Sequence, residues 1–328
     1  MIIVRLTVYY MKFHSFLYSL FTAVVISASA ATAIAQERFV FMPQWTAQAQ
    51  FAGYYVALEK GFYKEAGLDV EIVHPSATYS AMSGIMNNEC QATMLTLSQA
   101  MDMIDKGTPL VNILQTAVNN GMVIVSARGE NPLKQKGARV GIWSVGFYQF
   151  AILMSEKEGL NYEWVRFASN VNLFVKGAID ATLAMSYNEY YQLKQAGMVF
   201  AEDNVYRFSD HGYNVPEDGV YMSRDYYLKH KDQAKRFAQA SRQGWEWAAE
   251  HQDETLDIVM KYVSENHVAT NRVLQKLMLE EILNLQIDKQ TGKREFILRP
   301  EMVQLASQLM LECNMIKKDI TFEQLIGE

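Results

Sequence analysis

A chain of 328 residues is longer than a single hydrophobic core usually organises, so two packed units are expected. Half of its residues are hydrophobic and 20% are charged, which excludes a disordered chain. The net charge of −6, with no block of Lys or Arg, argues against a nucleic-acid partner.

The first 35 residues differ from the rest. Lys12 precedes an uncharged apolar run that ends in Ala33-Ile34-Ala35. A basic start, an apolar middle and a small-x-small end read as a secretory signal peptide (1–35), cut after Ala35. The alternative is a retained anchor, although the run is short for a membrane span. Translation could start at Met1 or at Met11, which gives the better signal length. Removing residues 1–35 takes out Arg5 and Lys12 and no acid, which moves the net charge from −6 to −8. No Cys stands near the cut, so a lipid anchor is not indicated. Cys90 and Cys313 are the only cysteines; export permits a disulfide, and two free thiols are the alternative. With no CxxC and scattered His, no zinc site and no cofactor are expected.

Beyond the leader, short apolar runs alternate with helical periodicity. Strands are expected at 39–41, 68–73, 92–97, 110–115 and 122–126. Helices are expected at 51–61, 79–87 and from an N-cap at Ser98 to Lys106. The pattern breaks at 128–132. A second alternation follows, with strands at 139–143, 164–167, 181–185 and 199–200 and helices at 147–158, 173–176 and 188–196. It breaks again at 209–219. From Asp232 onward apolar residues recur at helical spacing. Strand–helix alternation builds an α/β layer on a mainly parallel sheet. Two breaks around one compact segment suggest an inserted lobe. Lobe I then comprises 36–127 and 216–328, lobe II comprises 128–215, and two crossovers form a hinge beside a ligand cleft.

Four blocks carry a family resemblance. The first runs from Gln44-Trp45-Thr46-Ala47 through Phe51-Ala52-Gly53-Tyr54-Tyr55 to Gly67-Leu68-Asp69-Val70. The others are Met185-Ser186-Tyr187-Asn188-Glu189-Tyr190, Pro216-Glu217-Asp218-Gly219-Val220-Tyr221 and Ser241-Arg242-Gln243-Gly244-Trp245-Glu246-Trp247-Ala248. In this order they resemble the thiamine-pyrimidine-precursor-binding family, which includes periplasmic binders and fungal pyrimidine synthases. The first block also resembles the broader superfamily of sulfonate and nitrate binders. The resemblance implies a type II periplasmic binding fold, two α/β lobes joined by a two-strand hinge. It further implies a monomer in the periplasm that delivers a small heteroaromatic ligand, such as an aminomethyl-pyrimidine, to the permease of an ABC importer. The synthases carry a cysteine cluster, and this chain does not.

In the fold so implied, Trp45 lies in a Gln-rich loop after the first strand, where its indole can stack on a flat ring or simply pack in lobe I. Of Tyr54 and Tyr55, one is expected in the core and one toward the cleft. Glu189 opens a helix after the 181–185 strand. A carboxylate there can take two N–H bonds from an aminopyrimidine edge, with Asn188 as donor and acceptor. Alternatively, Asn188 caps the helix and Glu189 only favours its positive end. Asp218 fits a hinge turn as well as a ligand contact. Backbone amides at Trp143, Ser144 and Gly146 could hold an anion. His74 and His211 are isolated and poor metal ligands. Trp245 and Trp247 are assigned to packing. No nucleophile elbow, HExxH or phosphate loop is present, so a binding protein is expected rather than an enzyme.

Overall fold

A computed structural model describes residues 36–76, 78–127, 129–144, 148–167 and 171–327. The leader at 1–35, Arg128 in the first break and Gly146 lie outside the described residues. Two five-stranded mixed sheets organise the chain. The first has the order β2-β1-β3-β10-β4, built from β1 (Glu37–Met42), β2 (Leu68–Ile72), β3 (Ala92–Leu95), β4 (Leu110–Gln115) and β10 (Gly219–Ser223). The second has the order β7-β6-β8-β5-β9, from β5 (Met122–Ser126), β6 (Arg139–Trp143), β7 (Glu163–Phe167), β8 (Ala181–Met185) and β9 (Val205–Arg207).

Each sheet is mixed in the same way. β1 runs parallel to β3, and β6 runs parallel to β7 and β8. The strand that arrives from the hinge is antiparallel in both: β5 against β8 and β9, and β10 against β3 and β4. Strands β5 and β8 are buried along their whole length, as expected of central strands covered on both faces.

Three local expectations change. β5 was grouped with the first lobe, yet it pairs wholly within the second sheet, so the first crossover lies at residues 116–121 and ahead of the 128–132 break. A local pattern marks a strand but not its partner. The expected strand at 199–200 is absent; β9 forms later, where Tyr206 turns into the core. The cap of α2 (Leu97–Asp105) is Thr96 and not Ser98. Thr96 accepts from the Gln99 amide and Gln99 returns to the Thr96 amide, a closed capping box. Cys90 and Cys313 are both free thiols, which settles the disulfide alternative.

The returning chain covers the first sheet with α5 (Lys231–Glu250) and α6 (Gln252–Glu265), packed on α1 (Ala52–Glu59). Trp245 on α5 is fully buried and meets Tyr54 edge-on at 5.7 Å, while Phe237 stacks on Phe39 at 4.4 Å. Two glycines permit this approach. A Cβ at Gly244 would stand 2.0 Å from the Gly53 carbonyl oxygen, and one at Gly53 would stand 2.2 Å from the Trp245 ring. Gly244→Ala therefore forces two backbones apart. It should lower the urea unfolding free energy by about 1–3 kcal/mol or more, the scale of core overpacking. Gln243→Ala, one residue away on the exposed face, should be neutral in the same denaturation series.

Candidate functional site

Both crossovers run side by side at the centre of the molecule. The Thr116 amide and hydroxyl donate to the Asp218 carbonyl at 2.9 and 2.5 Å. The Asn120 side-chain amide donates to Val215 O at 3.0 Å, and the Asn120 backbone amide donates to Asn214 Oδ1 at 2.8 Å. Gln115 reaches the Glu217 carbonyl. Behind them, the amides of Val118 and Asn119 both donate to Leu285 O at the end of α7 (Arg272–Leu285). This lacing fixes Glu217 and Asp218 where the chain re-enters the first sheet. Asp218 has a left-handed φ of 36°.

The Asp218 carboxylate is also engaged. Gln44 Nε2 donates to its Oδ1 at 2.7 Å, and Gln50 Nε2 lies 2.9 and 3.1 Å from its two oxygens. The Gly121 amide donates to Glu217 Oε1 at 2.8 Å, and the Tyr187 hydroxyl donates to Oε2 at 3.3 Å. Tyr187 follows β8 in the second lobe and also accepts from Gln50 of the first, so it joins the two. Two residues on, Glu189 opens α4 (Glu189–Gln195), and its Oε2 accepts the Met185 amide at 2.9 Å.

Three carboxyl groups are thus buried at one junction: Glu189 at 7% exposure, Glu217 at 3% and Asp218 at 2%. Among the described residues none of the three has an ion pair with Lys or Arg. Burial pushes all three carboxyls up. Glu217 is raised further by Asp218 and by Glu189. Tyr187 is raised by burial and then by all three acids, which marks it as the group between them. They do not form a chelate: no set of three His, Cys, Asp or Glu among the described residues is placed to hold a metal. Buried acids with hydrogen-bond donors and, among the described residues, no paired cation favour a partner that brings positive charge or N–H groups.

The residues singled out from sequence divide in two. Glu189 and Asp218 are both buried and both act on Tyr187. Trp45 stands beside Gln44 and is 51% exposed, and its carbonyl is held by His74 Nδ1 at 2.7 Å. Tyr54 and Tyr55 are both fully buried, so neither offers a free cleft face; the Tyr55 hydroxyl meets His74 Nε2 at 2.8 Å and its ring stacks on Tyr262 at 4.1 Å. The Asn188 side chain accepts from Gln192 and makes no capping bond. The Ser144 amide and hydroxyl both donate to Phe167 O at 2.8 Å, so that amide is not free for an anion. Gln44, Gln50, Tyr187 and Glu217 stood in the quoted motifs without a role. Their signal was polar residues beside Asp218 in the fold, which only the tertiary structure displays.

Glu217 lines a small inter-lobe cavity with Thr96, Ser98, Asn120, Phe150 and Met185. Its volume is about 20 Å³, room for a water and not for an aromatic ring. This cavity has to widen to admit a ligand of that size. Bonds that span them include the reciprocal amide pair Gln195–Asn271 at 3.1 and 3.3 Å and the Lys157–Glu312 ion pair.

The buried acids set a pH dependence. Glu217 is raised from 4.5 to about 8 and Asp218 from 3.8 to about 7, values that belong to the pair as a unit. Between pH 5 and 8 the folded state therefore holds protons that the unfolded chain has released. Stability of the ligand-free protein should fall as pH rises through this window and level off above it. Urea midpoints from pH 5 to 9 read this directly, and Glu217→Gln should flatten the fall. A wild-type midpoint that rises across the window would contradict it.

Comparison with known proteins follows this geometry. The chain is 28% identical over 292 residues to the formylaminopyrimidine-binding protein of Halalkalibacterium halodurans, covering 83% of this chain and 84% of that one. It is 23% identical over 254 residues to the riboflavin-binding protein RibY of Chloroflexus aurantiacus, covering 71% and 68%. The periplasmic aliphatic sulphonate binding protein SsuA of Escherichia coli superposes with a TM-score of 0.64 at 11% identity, covering 88% of this chain and 91% of that one. That likeness shows the type II periplasmic-binding fold, two α/β lobes each on a mixed sheet. The family described as NMT1/THI5 like matches residues 48–255, more than half of the chain. The protein belongs to the NMT1/THI5-like family.

Proposed function

We propose that this protein is an exported solute-binding protein of an ABC importer, and that it captures a thiamine-related aminopyrimidine between its lobes. The observation that carries this reading is the set of Glu189, Glu217 and Asp218, buried with no ion pair to Lys or Arg among the described residues. An aminopyrimidine presents a protonatable ring nitrogen beside an exocyclic amine, the edge that a carboxylate binds in bidentate fashion. The name of the Halalkalibacterium halodurans relative points to the same ligand class. Its place of work is the periplasm and its partner is a permease; no nucleic acid is involved, and it acts as a monomer.

Electrostatics argues against the sulfonate or nitrate alternative. An anion placed here would face three acids and no positive partner. The pyrimidine-synthase alternative needs a cysteine cluster, whereas Cys90 and Cys313 stand apart as free thiols. In this reading the protein carries its ligand and leaves it chemically unchanged.

Ligand roles go to Glu189 as the acceptor of the aminopyrimidine edge, to Asp218 as an acidic wall and to Trp45 as a stacking face. Tyr54, Tyr55, Ser144 and Asn188 support the walls. A thermal-shift screen across aminopyrimidines, riboflavin, sulfonates and nitrate should give stabilisation by the aminopyrimidines alone; a shift with sulfonates only would overturn the reading. In calorimetry Glu189→Gln should weaken the aminopyrimidine by about 1.5–3 kcal/mol, the scale of a hydrogen bond to a charged group. Unchanged affinity would remove Glu189 from the site.

A further inference from the structure

Glu217 and Asp218 are consecutive in sequence and both buried. The groups facing them come from every side of the junction. Glu189 acts from the start of α4, Tyr187 from the turn after β8, and Tyr54 from α1; Gln44 and Gln50 approach from the loop after β1. None of these is a Lys, Arg or His. Two adjacent carboxylates without a counter-ion cannot both stay charged in such a place at low cost. The two carboxyls are held by different partners. Asp218 receives two amide side chains and suits the charged form. Glu217 receives one backbone amide and faces Tyr187, whose hydroxyl can donate to a carboxylate or accept from a protonated acid.

We propose that Glu217 and Asp218 hold one proton between them in the empty cleft and surrender it when a cationic ligand enters, which makes Glu217 a residue that selects ligand charge. This rests on the aminopyrimidine reading above for the identity of the ligand, though not for the existence of the proton. The balance is simple. One carboxyl O–H bond breaks, its proton passes to bulk water, and the ligand's positive charge replaces it beside the carboxylates. No electrons move and no other bond changes. A neutral ligand leaves the proton in place. Affinity for a cation should therefore tighten up to about tenfold per pH unit on approaching neutrality from below, while affinity for a neutral analogue stays flat.

Two measurements separate this from the ligand assignment. The first needs no ligand. Carboxyl ¹³C resonances of the full chain labelled at Glu and Asp are followed from pH 4 to 9. A carboxyl that titrates above pH 6 and vanishes in Glu217→Gln is expected; if every carboxyl titrates below pH 5.5, the shared proton is overturned. The second is calorimetry with 4-amino-5-aminomethyl-2-methylpyrimidine, an ammonium at pH 7, in phosphate and in Tris. Near one proton released per ligand is expected, falling by half or more in Glu217→Gln. Equal heats in the two buffers, with binding intact, would overturn the exchange. If the late titration is seen and this pyrimidine does not bind, the ligand class fails and the shared proton stands.

Discussion

Burying three carboxyl groups near one tyrosine, with no ion pair to Lys or Arg among the described residues, is the constraint on which the rest of this structure depends. Each buried charge costs several kcal/mol unless it is paired, hydrogen-bonded or neutralised. The protein uses the last two remedies. Amide groups of Gln44, Gln50 and Gly121 point at the acids, and burial favours their protonated forms. The third remedy, pairing, is left open to whatever enters the cleft. In the reading proposed above, a ligand that brings positive charge relieves that cost and so supplies a driving force for binding.

The scaffold keeps that cost in one place. Asp218 and Glu217 lie on the return crossover, which is laced to the outgoing crossover through Thr116, Gln115 and Asn120. Behind the hinge, the end of α7 supplies Leu285 O as an acceptor for two more amides. The first lobe is made stiff by the close approach of α1 and α5 at Gly53 and Gly244, so that the loop bearing Gln44 and Gln50 leaves a fixed base. Tyr187 and Glu189 arrive from the other sheet. Glu189 therefore meets the two crossover acids only across the junction of the lobes, where Glu217 lines the cavity of about 20 Å³.

Much of the architecture was legible in the sequence because strand and helix periodicities are local. The strands at 110–115, 122–126, 139–143 and 181–185 have the expected bounds. Partnership is not local, which is why β5 was grouped with the wrong sheet. The cap at Thr96 in place of Ser98 has a similar cause: two hydroxyl residues stand two apart, and only the return bond from Gln99 chooses between them. In the site, Glu189 and Asp218 were visible as acids at a strand end and a crossover. Glu217 was not, because its significance comes from the Gly121 amide 96 positions away and from Tyr187 across the cleft. Tyr54 and Tyr55 show the converse. Adjacent tyrosines at a helix start look like one inward and one outward ring, but the covering helices α5 and α6 bury both faces.

The most direct test of the central claim is a crystal structure of the complex with 4-amino-5-aminomethyl-2-methylpyrimidine. A positively charged or N–H-bearing edge within hydrogen-bonding distance of Glu189, and of Glu217 or Asp218, is the predicted result. A ligand whose nitrogens face away from all three acids, or one seated outside the junction of the lobes, would contradict it.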